Sequence, residues 1–194
     1  MTRTLTCAQA TSFDKLFATE VGFIPLSGES RNGKVIAVCL SEKGGVPKYP
    51  QDAVSIGTGG VVGDYHYGNV GSDGTLRYVT VVAKEVFDSV GEDLQVNVAP
   101  GDFGENFLIE GVGDLSDVVP GDRICLGPHV VIRVTSQNTP CSNLSALHSG
   151  MIRMVVGRRG VLATVETGGK VCPDDDVYLR ISDDNPISKE NDET

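Results

Sequence analysis

Short runs of β-branched and aliphatic residues, separated by glycines, dominate the chain from Lys34 onward, and this pattern restricts the fold more than any other feature. Runs of this kind are typical of β-strands, and the 24 glycines supply the turns. Several runs, such as HVVIRVTS at 129–136, are too apolar on both faces for an open sheet. We therefore predict closure into a barrel. The predicted strands are 34–40, 52–56, 76–83, 106–110, 122–127, 129–136, 151–157, 161–167 and 176–181.

Helical periodicity is scarce. It is found at 84–93, where Val86, Phe87 and Val90 share one face, and at 12–20. Residues 1–33 precede the first strand and are interpreted as an N-terminal arm, and the polar, acidic residues 182–194 as a disordered tail. The sequence thus predicts one mostly β domain at 34–181 with a few short helices.

The charge balance and the cysteines narrow the classes of partner. A formal net charge of −10 repels nucleic acid, so an anionic ligand has to enter a local basic pocket. No run reaches the roughly 18 apolar residues that span a bilayer, so no membrane partner is expected. The five cysteines include no C-x-x-C pair, which favours a reducing cytoplasm over a disulfide framework or a structural zinc site.

Polar residues that could bind a ligand cluster in two loops. Asp64, His66 and Arg77 surround a glycine-rich turn, where a histidine can move protons and an arginine can bind an oxyanion. The residues alone favour a simpler interpretation, a hairpin loop in which Asp64 accepts backbone hydrogen bonds. Lys43 and Lys48 follow the first strand and either bind phosphate or are solvated surface charges.

Cys141 is the strongest candidate for a reactive group. It lies in a polar loop between two apolar segments. Cys39 and Cys125 alternate with apolar residues and are interpreted as buried small hydrophobes. Cys172 precedes an acidic run that disfavours a thiolate, and Cys7 lies in the predicted arm.

Two interpretations of Cys141 stay open on spacing alone. A thiolate can carry a persulfide or bind a thiophilic metal, and His148, seven residues later, is a possible base. A single loop cysteine is nevertheless more often structural than catalytic.

Taken together, several segments resemble the MOSC domain, which is named for the carboxy-terminal part of molybdenum cofactor sulfurases, and especially its small stand-alone bacterial members. The resemblance covers about residues 34–181 and is ordered along the chain. The matching segments are GGVPKYP (44–50), GGVVGDYHYG (59–68), LRYVTVVAKEVFDSV (76–90), PGDFGENFLIEGV (100–112), PGDRICLG (120–127), TPCSNL (139–144) and RRGVLATVETGGKVCPDDDVYL (158–179).

The resemblance implies a β-barrel with a pocket whose cysteine carries sulfur or ligates molybdenum. It implies catalytic roles for Cys141 and His66, a metal-ligand role for Cys141, and the molybdenum cofactor, a molybdopterin, as the ligand. The implied cofactor-binding residues are Lys48, Asp64, Arg77, Gly104, Glu105 and Asn106. The sulfurases carry a pyridoxal-phosphate lyase domain that is missing from these 194 residues, so any activity is expected to be independent of pyridoxal phosphate.

Two departures from the family pattern affect the expected chemistry. The family often has basic residues around Pro-Cys, whereas Asn138, Thr139, Ser142 and Asn143 stand there in this chain. A turn with Pro173 replaces a glycine-aspartate turn. Three hypotheses follow: a sulfur carrier or molybdenum-cofactor-binding protein, a molybdopterin-dependent reductase of N-hydroxylated compounds, and a non-catalytic module for an anion or partner. The first implies a sulfur donor as partner, and the second an electron-transfer protein.

Overall fold

The computed structural model describes residues 30–70 and 79–182. The predictions for Cys7, for Arg77, for the helix at 12–20 and for the acidic tail beyond residue 182 fall outside those residues. The described strands are β1 (Ser30–Leu40), β2 (Tyr49–Gln51), β3 (Val54–Gly57), β4 (Gly60–Val61), β5 (Val79–Ala83), β6 (Phe107–Glu110), β7 (Arg123–Leu126), β8 (Val130–Gln137), β9 (Val161–Thr167), β10 (Gly169–Val171) and β11 (Asp176–Arg180). The helices are α1 (Lys84–Leu94), α2 (Met151–Met154) and a 3-10 helix (Ser142–Ala146).

Seven strands close into a barrel in the order β11-β7-β8-β9-β5-β6-β1, because β1 also pairs with β11. β1 is long enough to bond to β11 with its first residues and to β6 and β2 with its last. A register shift between Val35 and Ala37 bends β1 between these partners. The predicted mostly β barrel is confirmed.

The barrel interior explains the apolar runs. β5 buries four of its five side chains, and the first half of β8 buries Val130, Val131 and Ile132, so these stretches are enclosed on both faces. β10, β3 and β4 form a second, three-stranded sheet in the order β10-β3-β4. The predicted helix is confirmed as α1, which buries Val86, Phe87 and Val90 and connects the parallel strands β5 and β6.

One predicted element is wrong and one is shorter than the observed element. Residues 151–157 were predicted as a strand but form α2 and a turn, because Met151 and Val155, four residues apart, both pack into the core. The first strand begins at Ser30 and not at Lys34, since pairing with β11 supplies backbone partners to residues without strand propensity. Among residues 30–70 and 79–182, no helix is long and apolar enough to cross a membrane.

Several strands meet at one end of the barrel, where the candidate site residues lie. Thr80 of β5 is paired with Leu162 of β9, and the Asn106 backbone N–H donates to the Thr80 carbonyl at 2.9 Å. The Cys39 N–H donates to the Asn106 carbonyl at 2.8 Å. Because these strands meet here, the loops that follow β1 and β8 converge on the same barrel end.

Candidate functional site

A pocket of about 280 Å³ opens at this end of the barrel. It is lined by five of the residues that the family resemblance implied: Lys48, His66, Gly104, Asn106 and Cys141. Asp64 and Glu105 do not line it, because both side chains are buried behind it. Arg77 lies outside the described residues. The structure thus brings the Cys141 loop, the lysine loop and the histidine loop to one cavity.

Asp64 is the buried centre of a hydrogen-bond network that orients three lining residues. Its Oδ2 lies 2.9 Å from Lys48 Nζ and accepts the Asn106 Nδ2–H at 3.2 Å and the Ser41 N–H at 3.1 Å. Burial alone would raise the pKa of Asp64, but hydrogen bonds with His66 and the charge of Lys48 outweigh it and hold the pKa below its usual range. Burial in turn lowers the pKa of Lys48, opposed by Asp64. Asp64 therefore acts through its neighbours.

His66 is placed to exchange protons with the pocket. Its Nδ1 lies 3.3 Å from Asp64 Oδ1, which also accepts the His66 backbone N–H at 3.0 Å. The ring stays partly exposed and lines the pocket. A carboxylate behind one ring nitrogen favours the tautomer that leaves the other nitrogen for a ligand. His148, the other candidate base, does not line the pocket, and its Nδ1 accepts the Gly150 N–H at 3.1 Å just before α2.

The turn before β6 supplies Gly104 and Asn106 to the pocket and is held from behind by Glu105. The Glu105 carboxylate accepts the Gly101 N–H at 2.5 Å and the Phe103 N–H at 3.1 Å. Gly104 has a φ of +78°, and a Cβ there would lie 2.9 Å from Val46 Cγ1, so both backbone and space require glycine. Asn106 uses its side chain to bond the Cys39 carbonyl, Asp64 and Thr80. Glu105 and Asn106 are thus internally bonded supports of the pocket wall.

Burial raises the pKa of Glu105 to about 7, although the backbone N–H groups oppose this. The folded chain then binds a proton between about pH 4.3, the usual value for an unfolded glutamate, and pH 7. The contribution of Glu105 favours folding below that window and is lost as the pH rises through it.

We expect the free energy of unfolding of the wild-type chain, measured by urea titration, to fall relative to that of Glu105→Gln across this pH range. Glu42→Gln, an exposed control, should show the same dependence of stability on pH as the wild type. If the stability of Glu105→Gln runs parallel to that of the wild type over this pH range, the raised pKa of Glu105 is contradicted.

Cys141 differs from the other free cysteines of the described chain. Cys39 and Cys125 are buried, and burial raises the pKa of Cys39 to about 12 and raises that of Cys125. Cys141 is partly exposed, lines the pocket and directly precedes the 3-10 helix as its N-cap residue. Cys172 is disulfide-bonded, which corrects the inference against disulfides drawn from the cysteine pattern, since spacing does not show which chain segments meet. Of the free thiols described, Cys141 alone reaches the pocket.

Sequence reasoning missed Arg159, a cation that also lines the pocket. Its side chain crosses between two walls: one nitrogen donates to the Thr139 carbonyl at 2.6 Å and another to the Phe103 carbonyl at 2.8 Å. The next residue, Gly160, has a φ of +85°, and a Cβ there would collide with the Val81 carbonyl, so the chain passes tightly against β5. The available signal was an arginine directly before a glycine at a strand start. The residues next to Cys141 in sequence include no cation, as expected, but Arg159 brings one to the same pocket from a later segment of the chain.

Comparison with known proteins agrees with this fold. The MOSC domain family matches residues 63–178. YuaD of Bacillus subtilis strain 168, named as a proposed metal-sulfur cluster biosynthesis protein, is 23% identical over 153 residues, which cover 66% of this chain and 80% of YuaD.

Solved structures show the same likeness. The crystal structure of YuaD has a TM-score of 0.72 at 20% identity, covering 80% of this chain and 99% of YuaD. That of YiiM from Escherichia coli has a TM-score of 0.59 at 25% identity, covering 78% of this chain and 72% of YiiM. With the family match spanning more than half of the residues and the barrel, the pocket and its cysteine in place, the chain belongs to the MOSC domain family.

Proposed function

We propose that this protein carries sulfur as a persulfide on Cys141, binds the molybdenum cofactor through that thiol, or does both in turn. The observation that carries the proposal is a free, accessible thiol in a pocket that also contains a buried arginine. A thiolate is the chemical form that attacks sulfane sulfur and that binds a thiophilic metal. The name of YuaD supports sulfur or metal chemistry for a relative of this fold.

The donor set of the pocket fits the molybdenum cofactor in part. Among residues 30–70 and 79–182, no three His, Cys, Asp or Glu side chains cluster as a metal site, so the protein offers the metal the single thiol of Cys141. Arg159 and Lys48 would hold the anionic part of the cofactor. The cavity of about 280 Å³ lies just below the roughly 300–1,000 Å³ range of ligand pockets, which suits a small anion or one end of a larger cofactor.

The lining residues and Asp64 bind and orient the ligand and move protons. Arg159 attracts the anionic ligand, Lys48 can donate a hydrogen bond to it, and Asp64 orients Lys48 and His66. His66 accepts or returns a proton at the pocket. When bound, the cofactor supplies a redox-active, thiophilic metal centre.

The Asp64–His66 pair favours a second candidate, a molybdopterin-dependent reductase of N-hydroxylated compounds. Such a reduction consumes protons, which His66 can supply with Asp64 behind it. Its electrons would come from a separate electron-transfer protein, and sulfur carriage would require a separate sulfur donor.

Elemental analysis tests the proposal. We expect protein purified from a host that makes the cofactor to contain, per chain, near-stoichiometric molybdenum, sulfur that cyanide releases as thiocyanate, or both. Molybdenum together with turnover of an N-hydroxylated base and an artificial reductant would select the reductase. If neither molybdenum nor cyanide-labile sulfur exceeds the background of Cys141→Ala, the proposal is wrong and the domain is a non-catalytic module.

A further inference from the structure

Arg159 has more hydrogen-bonding capacity than the fold uses. The side chain is more than nine-tenths buried, and its Nε has no hydrogen-bond partner. The two contacts to the Thr139 and Phe103 carbonyls leave further N–H groups of the guanidinium unbonded. A buried polar group without a partner is costly. Because Nε itself is enclosed, the remaining N–H groups of Nη1 and Nη2 are the ones that a ligand in the pocket can reach.

The charge of Arg159 is also uncompensated within the described residues. No salt bridge joins it to an acidic side chain, whereas Lys48, the other lining cation, is paired with Asp64 at 2.9 Å. None of the described lining residues is acidic. In a chain with a net charge of −10, this pocket is therefore a local site for an anion.

The contacts of Arg159 place that anion site next to the thiol. Thr139, whose carbonyl accepts one Arg159 N–H, is two residues before Cys141, and both Arg159 and Cys141 line the same cavity. A planar guanidinium matches the geometry of a carboxylate, sulfonate or phosphate group. The small cavity limits what can occupy it beside the thiol.

We propose that Arg159 is the anion-binding residue of this site and holds an oxyanion group of the ligand beside Cys141. The inference deepens the proposed function, since it names the chemical class of ligand that reaches the thiol. The oxyanion can belong to a small sulfur donor or be the phosphate of a larger cofactor. With thiosulfate as donor, the Cys141 thiolate attacks the outer sulfur, the S–S bond of thiosulfate breaks, and sulfite leaves with the electron pair, so Cys141 becomes a persulfide.

Alkylation of Cys141 by two reagents that differ in charge tests the inference. Iodoacetate is anionic and iodoacetamide is neutral, and both form an S–C bond at the thiol with loss of iodide. We expect Arg159→Gln to lower the rate of iodoacetate labelling relative to that of iodoacetamide labelling at Cys141 about tenfold. The anionic reagent loses a charge-assisted contact that the neutral reagent never makes. The ratio cancels any change in the intrinsic reactivity of the thiol. Peptide mapping assigns the label to Cys141 as opposed to Cys39.

Arg153→Gln is the matched control. It removes the same charge from an exposed position of α2 outside the pocket, and should leave the ratio unchanged. An unchanged ratio in Arg159→Gln with wild-type melting would overturn the proposal and leave Arg159 as a structural clamp between two loops. An equal drop in Arg153→Gln would also overturn it, because the effect would then be a general one of net charge.

A second measurement uses the unaltered protein and does not depend on whether the variant folds. Sulfate, thiosulfate and a phosphate monoester should each slow iodoacetamide labelling of Cys141, and absence of protection by all three overturns the inference. Cyanide-labile sulfur after thiosulfate identifies a free sulfur donor, whereas protection by the phosphate monoester without charging identifies a phosphate of a larger ligand. If anions protect Cys141 from iodoacetamide but the protein never binds sulfur or molybdenum, the proposed function is refuted and the anion site is retained.

Discussion

Cys141→Ser is expected to abolish sulfur carriage and molybdenum retention while leaving the fold intact. A serine hydroxyl stays protonated near neutral pH and is a hard, poor ligand for a thiophilic centre. The side chain is only partly buried at the start of a short 3-10 helix, so its replacement should change stability by no more than about 0.5 kcal/mol. Melting temperature, bound molybdenum and thiocyanate released by cyanide are measured on the same preparations.

Cys125→Ser is the matched control for this experiment. It removes another free thiol, but one that is buried in β7 and away from the pocket. We expect this variant to melt earlier and to keep its sulfur or molybdenum. Retention of either by Cys141→Ser would refute the assignment, and an early melt of Cys141→Ser would show that the thiol mainly serves packing.

Asp64→Ala is expected to destabilise the protein by about 3–5 kcal/mol, because it leaves the ammonium of Lys48 buried without a counter-charge. The side chains of Lys48 and Asp64 are 3% and 0% exposed. The same change also removes the acceptor of the Ser41 N–H and of the Asn106 Nδ2–H. Urea denaturation gives the loss directly.

A double variant and a surface pair make this prediction specific. Lys48→Met combined with Asp64→Asn removes both charges and should cost less than the sum of the single changes, since the pair is coupled. Asp176→Asn breaks the exposed pair with Lys34, whose side chains are 50% and 48% exposed, and should cost less than about 1 kcal/mol. A loss for Asp64→Ala no larger than that of Asp176→Asn would mean that Lys48 finds another partner.

The low pKa of Asp64 determines how this loss depends on pH. A carboxyl whose pKa is lower in the folded chain stabilises the fold above its unfolded value of about 3.9. That contribution is lost as the pH falls further, through the folded pKa. The difference in stability between wild type and Asp64→Asn should therefore be constant above about pH 5 and shrink toward lower pH.

Parts of the site were predictable because a local signal or the family pattern marks them. Cys141 could be singled out because its polar loop contrasts with the apolar neighbours of Cys39 and Cys125. Lys48, His66, Gly104 and Asn106 came from the family resemblance, and the structure places all four on one pocket. Arg159 was not predicted, since an arginine before a glycine at a strand start does not show that its guanidinium reaches the Thr139 and Phe103 carbonyls.

The sequence by itself determined the β class, the helix α1 and the most accessible free thiol, because glycine spacing, side-chain periodicity and loop polarity are properties of neighbouring residues. Only the tertiary structure decided that residues 151–157 form a short helix and turn, that Asp64 is a buried counter-ion, and that Arg159 lies at the Cys141 pocket. These features depend on which strands pair when β1 meets β11 and closes the barrel. That closure is set by burial summed over the whole core, which no local pattern records.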